Sequence, residues 1–118
     1  ESVSDAEFNV LHICESDNML SELRDYPVDA FNWDTQDDTN VWLVEGAKMT
    51  LKAVIGGMSQ KTTLLTGTPA EVTEEVRWNV EMIEGNGLIL GPACAVSANT
   101  PVENLRAARD AVTGLKPN

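Results

Sequence analysis

The chain is short of basic residues: 8 Lys and Arg stand against 19 Asp and Glu in 118 residues, a formal net charge of −11. No basic stripe is available to displace counterions from phosphates, which excludes nucleic acid as a partner. An anionic membrane surface repels such a chain for the same reason. Long apolar runs are missing too. None approaches the ~20 residues that span a bilayer, and the N-terminus lacks the basic-then-apolar order of a signal peptide. Cysteine occurs only twice, too little for a disulfide scaffold, which points to a reducing, cytoplasmic setting. Histidine occurs once. Disorder is excluded by composition, since 42% of residues are hydrophobic and 23% charged. One domain is expected, without low-complexity segments or an interdomain linker. The chain begins at Glu1 rather than Met, which points to a segment of a longer protein.

What is present reads as one unit repeated four times. Residues 8–14 are apolar and β-prone, and residues 16–25 follow as a helix bearing Met19, Leu20 and Leu23 on one face. Residues 28–33 form a second strand, and a helix over 39–45 is expected to stop at Gly46. Residues 49–55 alternate as a third strand closed by Gly56-Gly57. Thr68-Pro69-Ala70-Glu71 is a capping box with Pro at the first helical position, followed by Val72, Val76, Val80 and Ile83 at helical spacing. Gly85 and Gly87 are expected to end that helix. Leu88-Ile89-Leu90 is a fourth strand. Thr100-Pro101-Val102-Glu103 repeats the capping device, with Leu105, Ala108 and Val112 expected to carry the buried face of the last helix.

Four strands alternating with four helices predict an α/β fold of βα units with parallel strands. A small doubly wound sheet and half of a (βα)₈ barrel both satisfy this pattern, since a full barrel takes ~250 residues. Half a barrel leaves two unpaired edges and an open inner face, expected to include Val10, Ile55 and Leu90. Either architecture places chemistry at the carboxyl ends of its strands. Those ends carry His12 and Cys14, then Trp33 and Asp34, then Gly56 to Ser59, then Cys94. His12 and Cys14 are two apart on a strand and leave it on the same face. With Cys94 from a neighbouring strand end they would form a one-nitrogen, two-sulfur set that suits zinc and leaves a coordination position open. Two other arrangements account for the same residues. Cysteines and a lone histidine can be packed core groups, and Cys14 and Cys94 can form a disulfide.

Several segments carry a resemblance. Val-Leu-His-Ile-Cys at 10–14, Gly-Thr-Pro-Ala-Glu-Val at 67–72, Gly-Leu-Ile-Leu-Gly-Pro-Ala-Cys at 87–94 and Asn-Thr-Pro-Val-Glu-Asn-Leu at 99–105 resemble the uroporphyrinogen decarboxylase family. The likeness is greatest to its cobalamin-dependent (methylcobalamin:coenzyme M-like) methyltransferase branch. It implies that residues 1–118 are the C-terminal half of a (βα)₈ TIM barrel. It also implies zinc at the family's His-x-Cys…Cys positions, here His12, Cys14 and Cys94.

The activity implied is transfer of a methyl group between a corrinoid (methylcobalamin) on a partner protein and a thiol or other small-molecule acceptor. The N-terminal half of the barrel, or a second copy of the chain, is the further partner implied. A metal-free decarboxylase acting on a tetrapyrrole, and an inactive structural fragment, are the alternatives.

Two positions depart from the family pattern. Glu15 stands where the methyltransferases have Gly, and Gly56-Gly57-Met58-Ser59 replaces a Gly-Asn-acidic end to the third strand. That loop contacts ligand in the family, which makes Gly57 and Ser59 candidate substrate-binding residues. Asp34 is another, either orienting substrate or backing a metal-bound histidine, and it reads equally as an exposed loop carboxylate that caps the next helix. Trp33, Trp42 and Trp78 read as packing residues.

Overall fold

The computed structural model describes residues 5–84 and 86–115. Its elements run β1 (Val10–Ile13), α1 (Leu20–Leu23), β2 (Ala30–Trp33), α2 (Leu43–Thr50), β3 (Ala53–Met58), α3 (Thr63–Thr66), α4 (Pro69–Met82), β4 (Leu88–Pro92) and α5 (Val102–Thr113). The strands form one parallel sheet in the order β1-β2-β3-β4, each beside its predecessor. A doubly wound sheet reverses its order at a switch point. This sheet does not, so its helices gather on one face, as in a stretch of βα barrel.

That face carries Leu11, Phe31, Val54 and Leu88, which lie in register across the four strands. With Trp33, Leu20 and Leu43 they build one core cluster. A second cluster joins Met58, Leu64, Val72 and Val76, with Leu90 and the alanines of α5 packed against it. The opposite face carries a second row in register, His12, Asn32, Ile55 and Ile89, and no helix residue of either cluster covers it. Leu90 therefore faces the helices, and Ile89 takes the place on the open face expected for it. One residue of strand register makes the difference.

Several boundaries differ from expectation, each for a tertiary reason. α2 runs through Gly46 to Thr50 and is capped by Leu51, which is left-handed at φ 54°. Gly46 is an interior residue because the Trp33 ring occupies the space of a β-carbon there. β3 accordingly starts later and continues through Gly56, Gly57 and Met58, which pair with Leu90, Gly91 and Pro92. α1 is short because the residues before it are engaged elsewhere: Ser16 Oγ donates to Asp37, Asp17 N to Thr39 and Asn18 N to Asn40.

The Thr68–Glu71 capping box forms in both directions. α4 ends at Met82, followed by Glu84 at φ 56°; Gly85 lies outside the described residues. The second capping device does not form. α5 starts after Pro101 with no side-chain cap, and buried Asn104 instead ties its first turn to Leu64 O and Gly67 O at 3.0 and 2.8 Å. Leu105 and Val112 are exposed rather than buried, and they line an apolar groove of about 440 Å³ beside Leu90 and Pro92 at the free edge of β4. Trp33 is wholly buried, with its Nε1 donating to Val41 O. Trp42 and Trp78 are not packed inside; they form an exposed edge-to-face pair.

Candidate metal centre

His12 ends the open-face row on β1, and Cys14 follows two residues later on the same side. Cys94 lies two residues beyond β4. β1 and β4 are opposite edges of the sheet, three strand spacings apart, about 14 Å if the sheet were flat. Yet Cys14 Sγ and Cys94 Sγ are 3.7 Å apart, and Cys94 Sγ is 3.6 Å from His12 Nε2. The sheet curls, and the chain leaving β4 crosses its open face. Cys94 thus arrives from the far edge rather than from a neighbouring strand. Asn32 marks the crossing: its Nδ2, on β2, reaches Pro92 O beyond β3.

The three ligand atoms lie within 4.8 Å of one another. Both cysteines are free thiols, so the structure holds no Cys14–Cys94 disulfide. His12 and Cys14 are exposed and Cys94 half-buried, which separates them from packed core residues. Its hydrogen bond with Cys94, ahead of burial and of charge repulsion between the two sulfurs, holds the Cys14 thiol above its ordinary range. A cation between them reverses that preference.

Asn32 is a site residue that sequence reasoning missed. His12 Nδ1 and Asn32 Oδ1 are 2.5 Å apart, while Asn32 Nδ2 donates to Ile55 O and Pro92 O. The available signal was a carboxamide in an otherwise apolar strand, opposite the only histidine once β1 and β2 are paired in register.

The remaining candidates occupy the same rim without touching this cluster. Asp34 is largely buried rather than an exposed loop carboxylate. Its oxygens accept from Lys61 Nζ at 3.2 Å and Gln36 N at 3.1 Å, so it does not back His12. Lys61 is held above its ordinary range chiefly by that bond, with Asp37 and Glu15 adding attraction. Gly57 has φ 93°, accepts from Asn79 Nδ2 on its carbonyl, and would press a β-carbon to 3.1 Å from Asn79 Cγ. Ser59 shares a hydrogen bond with Thr62 Oγ1 at 2.5 Å, and its N–H donates to Glu75. Glu15 adopts φ 73°, a conformation that suits Gly. The backbone there keeps a glycine-like shape despite the side chain.

Fold and site together define a stretch of βα barrel whose strand-end rim gathers one imidazole and two thiols. The chain belongs to the uroporphyrinogen decarboxylase (URO-D) family, whose model matches residues 3–115. It is 33% identical over 99 residues to the methylated-thiol–coenzyme M methyltransferase of Methanosarcina mazei, covering 83% of this chain and 25% of that one. A solved structure, a methyltransferase from the same organism, superposes with TM-score 0.75 over 96% of this chain and 33% of its own, at 24% identity. That second likeness is one of fold. The chain thus spans a quarter to a third of the proteins it matches. Among the described residues no helix is long and apolar enough to cross a membrane.

Proposed function

We propose that the chain is the C-terminal half-barrel of a zinc- and corrinoid-dependent methyltransferase that moves a methyl group between a corrinoid and a small thiol or related acceptor. One observation carries the reading: the chain's only histidine and both its cysteines converge within 4.8 Å at the strand-end rim. One imidazole nitrogen and two thiolates are a donor set that zinc favours, and three protein ligands leave a position for substrate. Zinc bound there supplies one thing, activation of a thiol as thiolate at neutral pH.

The chain's own residues do the rest. His12 presents Nε2, and Cys14 and Cys94 give up their protons on metal uptake. Asp34, Gly57 and Ser59 shape the substrate end of the rim from the ends of β2 and β3. The open row His12, Asn32, Ile55 and Ile89 becomes barrel lining once the N-terminal half, or a second copy, pairs with the free edges of β1 and β4. A corrinoid protein docks at the barrel mouth, in the cytoplasm. The curated relative supports a thiol acceptor, since its name joins a methylated thiol to coenzyme M.

Metal analysis after equilibrium dialysis tests this. One zinc per chain is expected, lost in His12→Ala, and no zinc in the wild-type chain refutes the proposal. The full-length protein, zinc-loaded, is expected to consume methylcobalamin in the presence of a thiol, followed by the change in corrinoid absorbance.

A further inference from the structure

We propose that Asn32 is the positioning residue of this centre: its carboxamide holds His12 as the Nδ1–H tautomer, so that Nε2 faces Cys14 and Cys94 with a bare lone pair. The inference rests on the metal reading above only for its consequence; the tautomer follows from hydrogen-bond geometry. A side-chain amide has one acceptor oxygen and one NH₂ group. Here the NH₂ faces two main-chain carbonyls, Ile55 O at 2.8 Å and Pro92 O at 3.3 Å, which can only accept. The amide is therefore not reversible, and Oδ1 must point at His12 Nδ1, 2.5 Å away. An oxygen there requires the proton on Nδ1. A neutral imidazole carries one N–H, which leaves Nε2 unprotonated, 3.6 Å from Cys94 Sγ.

The placement is built into the sheet. His12 and Asn32 are register partners on β1 and β2, and Asn32 and Ile55 are partners on β2 and β3. The same two carbonyl bonds tie Asn32 to β3 and to the end of β4, the strand that delivers Cys94. Asn32 thus couples the orientation of the β1 ligand to the path of the β4 ligand. Partners of this kind on a metal-binding histidine typically change affinity 10–100-fold when removed.

Because the chain has a single histidine, its ring nitrogens give an unambiguous long-range ¹H–¹⁵N correlation spectrum. In the metal-free wild-type chain at pH 8.5, Nδ1 is expected to be the protonated nitrogen and Nε2 the bare one. The opposite assignment overturns the inference without any variant being made. Asn32→Leu, similar in branched shape but without an acceptor, is expected to release the tautomer preference. It is also expected to weaken zinc about 10–100-fold against a chromophoric chelator. An unchanged tautomer and affinity overturn the inference. Should circular dichroism show that this variant does not fold, Asn32→Ala decides: it too removes the acceptor, and an Nδ1–H preference that survives there counts against us. A wild-type chain with the Nδ1–H tautomer that takes up no zinc sinks the metal reading and leaves Asn32 its role. Zinc uptake that is indifferent to Asn32→Leu does the reverse.

Discussion

Zinc should stabilise the folded chain, and Cys14→Ala should erase that effect with little cost of its own. A ligand that binds the folded state at about 100 times its Kd adds about 2.7 kcal/mol. Unfolding entropy near 60 °C is about 2.1 cal/mol/K per residue, hence about 0.25 kcal/mol/K for a chain of this length. The midpoint should then rise by about 11 °C. That figure is a ceiling, because the unfolded chain holds the same three ligands without their geometry.

Cys14 is exposed and belongs to neither core cluster. Its loss should therefore move the zinc-free midpoint by no more than about 2 °C, the range of an ordinary surface change. With zinc, the variant keeps only His12 and Cys94, and its shift should fall within the same 2 °C or so. The sign with pH follows from the raised Cys14 thiol. A group that holds its proton more tightly makes a cation compete harder, so the zinc shift should shrink as pH falls from 8 to 6. Thermal melts with excess zinc and with chelator, at three pH values, supply all of these numbers. A Cys14→Ala shift as large as that of the wild type refutes the reasoning.

Glu15→Gly should stabilise the zinc-free chain by about 1 kcal/mol, because it relieves a left-handed backbone at φ 73°; urea melts check this, and a loss of stability contradicts it. Asp37 is held down to about 2, first by Ser16 and then by Thr39. A carboxylate with a depressed folded value adds stability that is present above its ordinary value near 3.9 and lost as pH falls through about 2. Asp37→Asn should therefore flatten the acid limb of the urea midpoint between about pH 4 and pH 2, and an unchanged limb argues against that network. The free edges of β1 and β4 and the groove along Leu105 and Val112 should make the isolated chain self-associate. Light scattering at micromolar concentration measures this, and a clean, well-folded monomer rules it out.

Local rules act over a few residues, and wherever they did so the sequence was legible. The βα alternation, the Thr68–Glu71 capping box and the Val72/Val76 face of α4 follow from periodicities of 2 and 3.6 and from a cap that closes within four residues. The shared face of His12 and Cys14 follows from the same period of 2. Gly46 misled because a glycine after an apolar stretch looks like a helix stop, whereas here it makes room for Trp33 of β2. Thr100 misled because Asn104 already secures the first turn of α5 through carbonyls some forty residues away.

The sequence by itself determined the repeating unit, the parallel sheet and the shared side of His12 and Cys14, since each is written in near neighbours. Tertiary structure alone decided that the helices share one face, that the open row runs His12, Asn32, Ile55, Ile89, and that Cys94 meets Cys14 from the opposite edge. The reason is curvature. No spacing along the chain records how far a sheet bends, and it is the bend that brings residues 80 positions apart to 3.7 Å and lets Asn32, beside His12, reach Pro92 O.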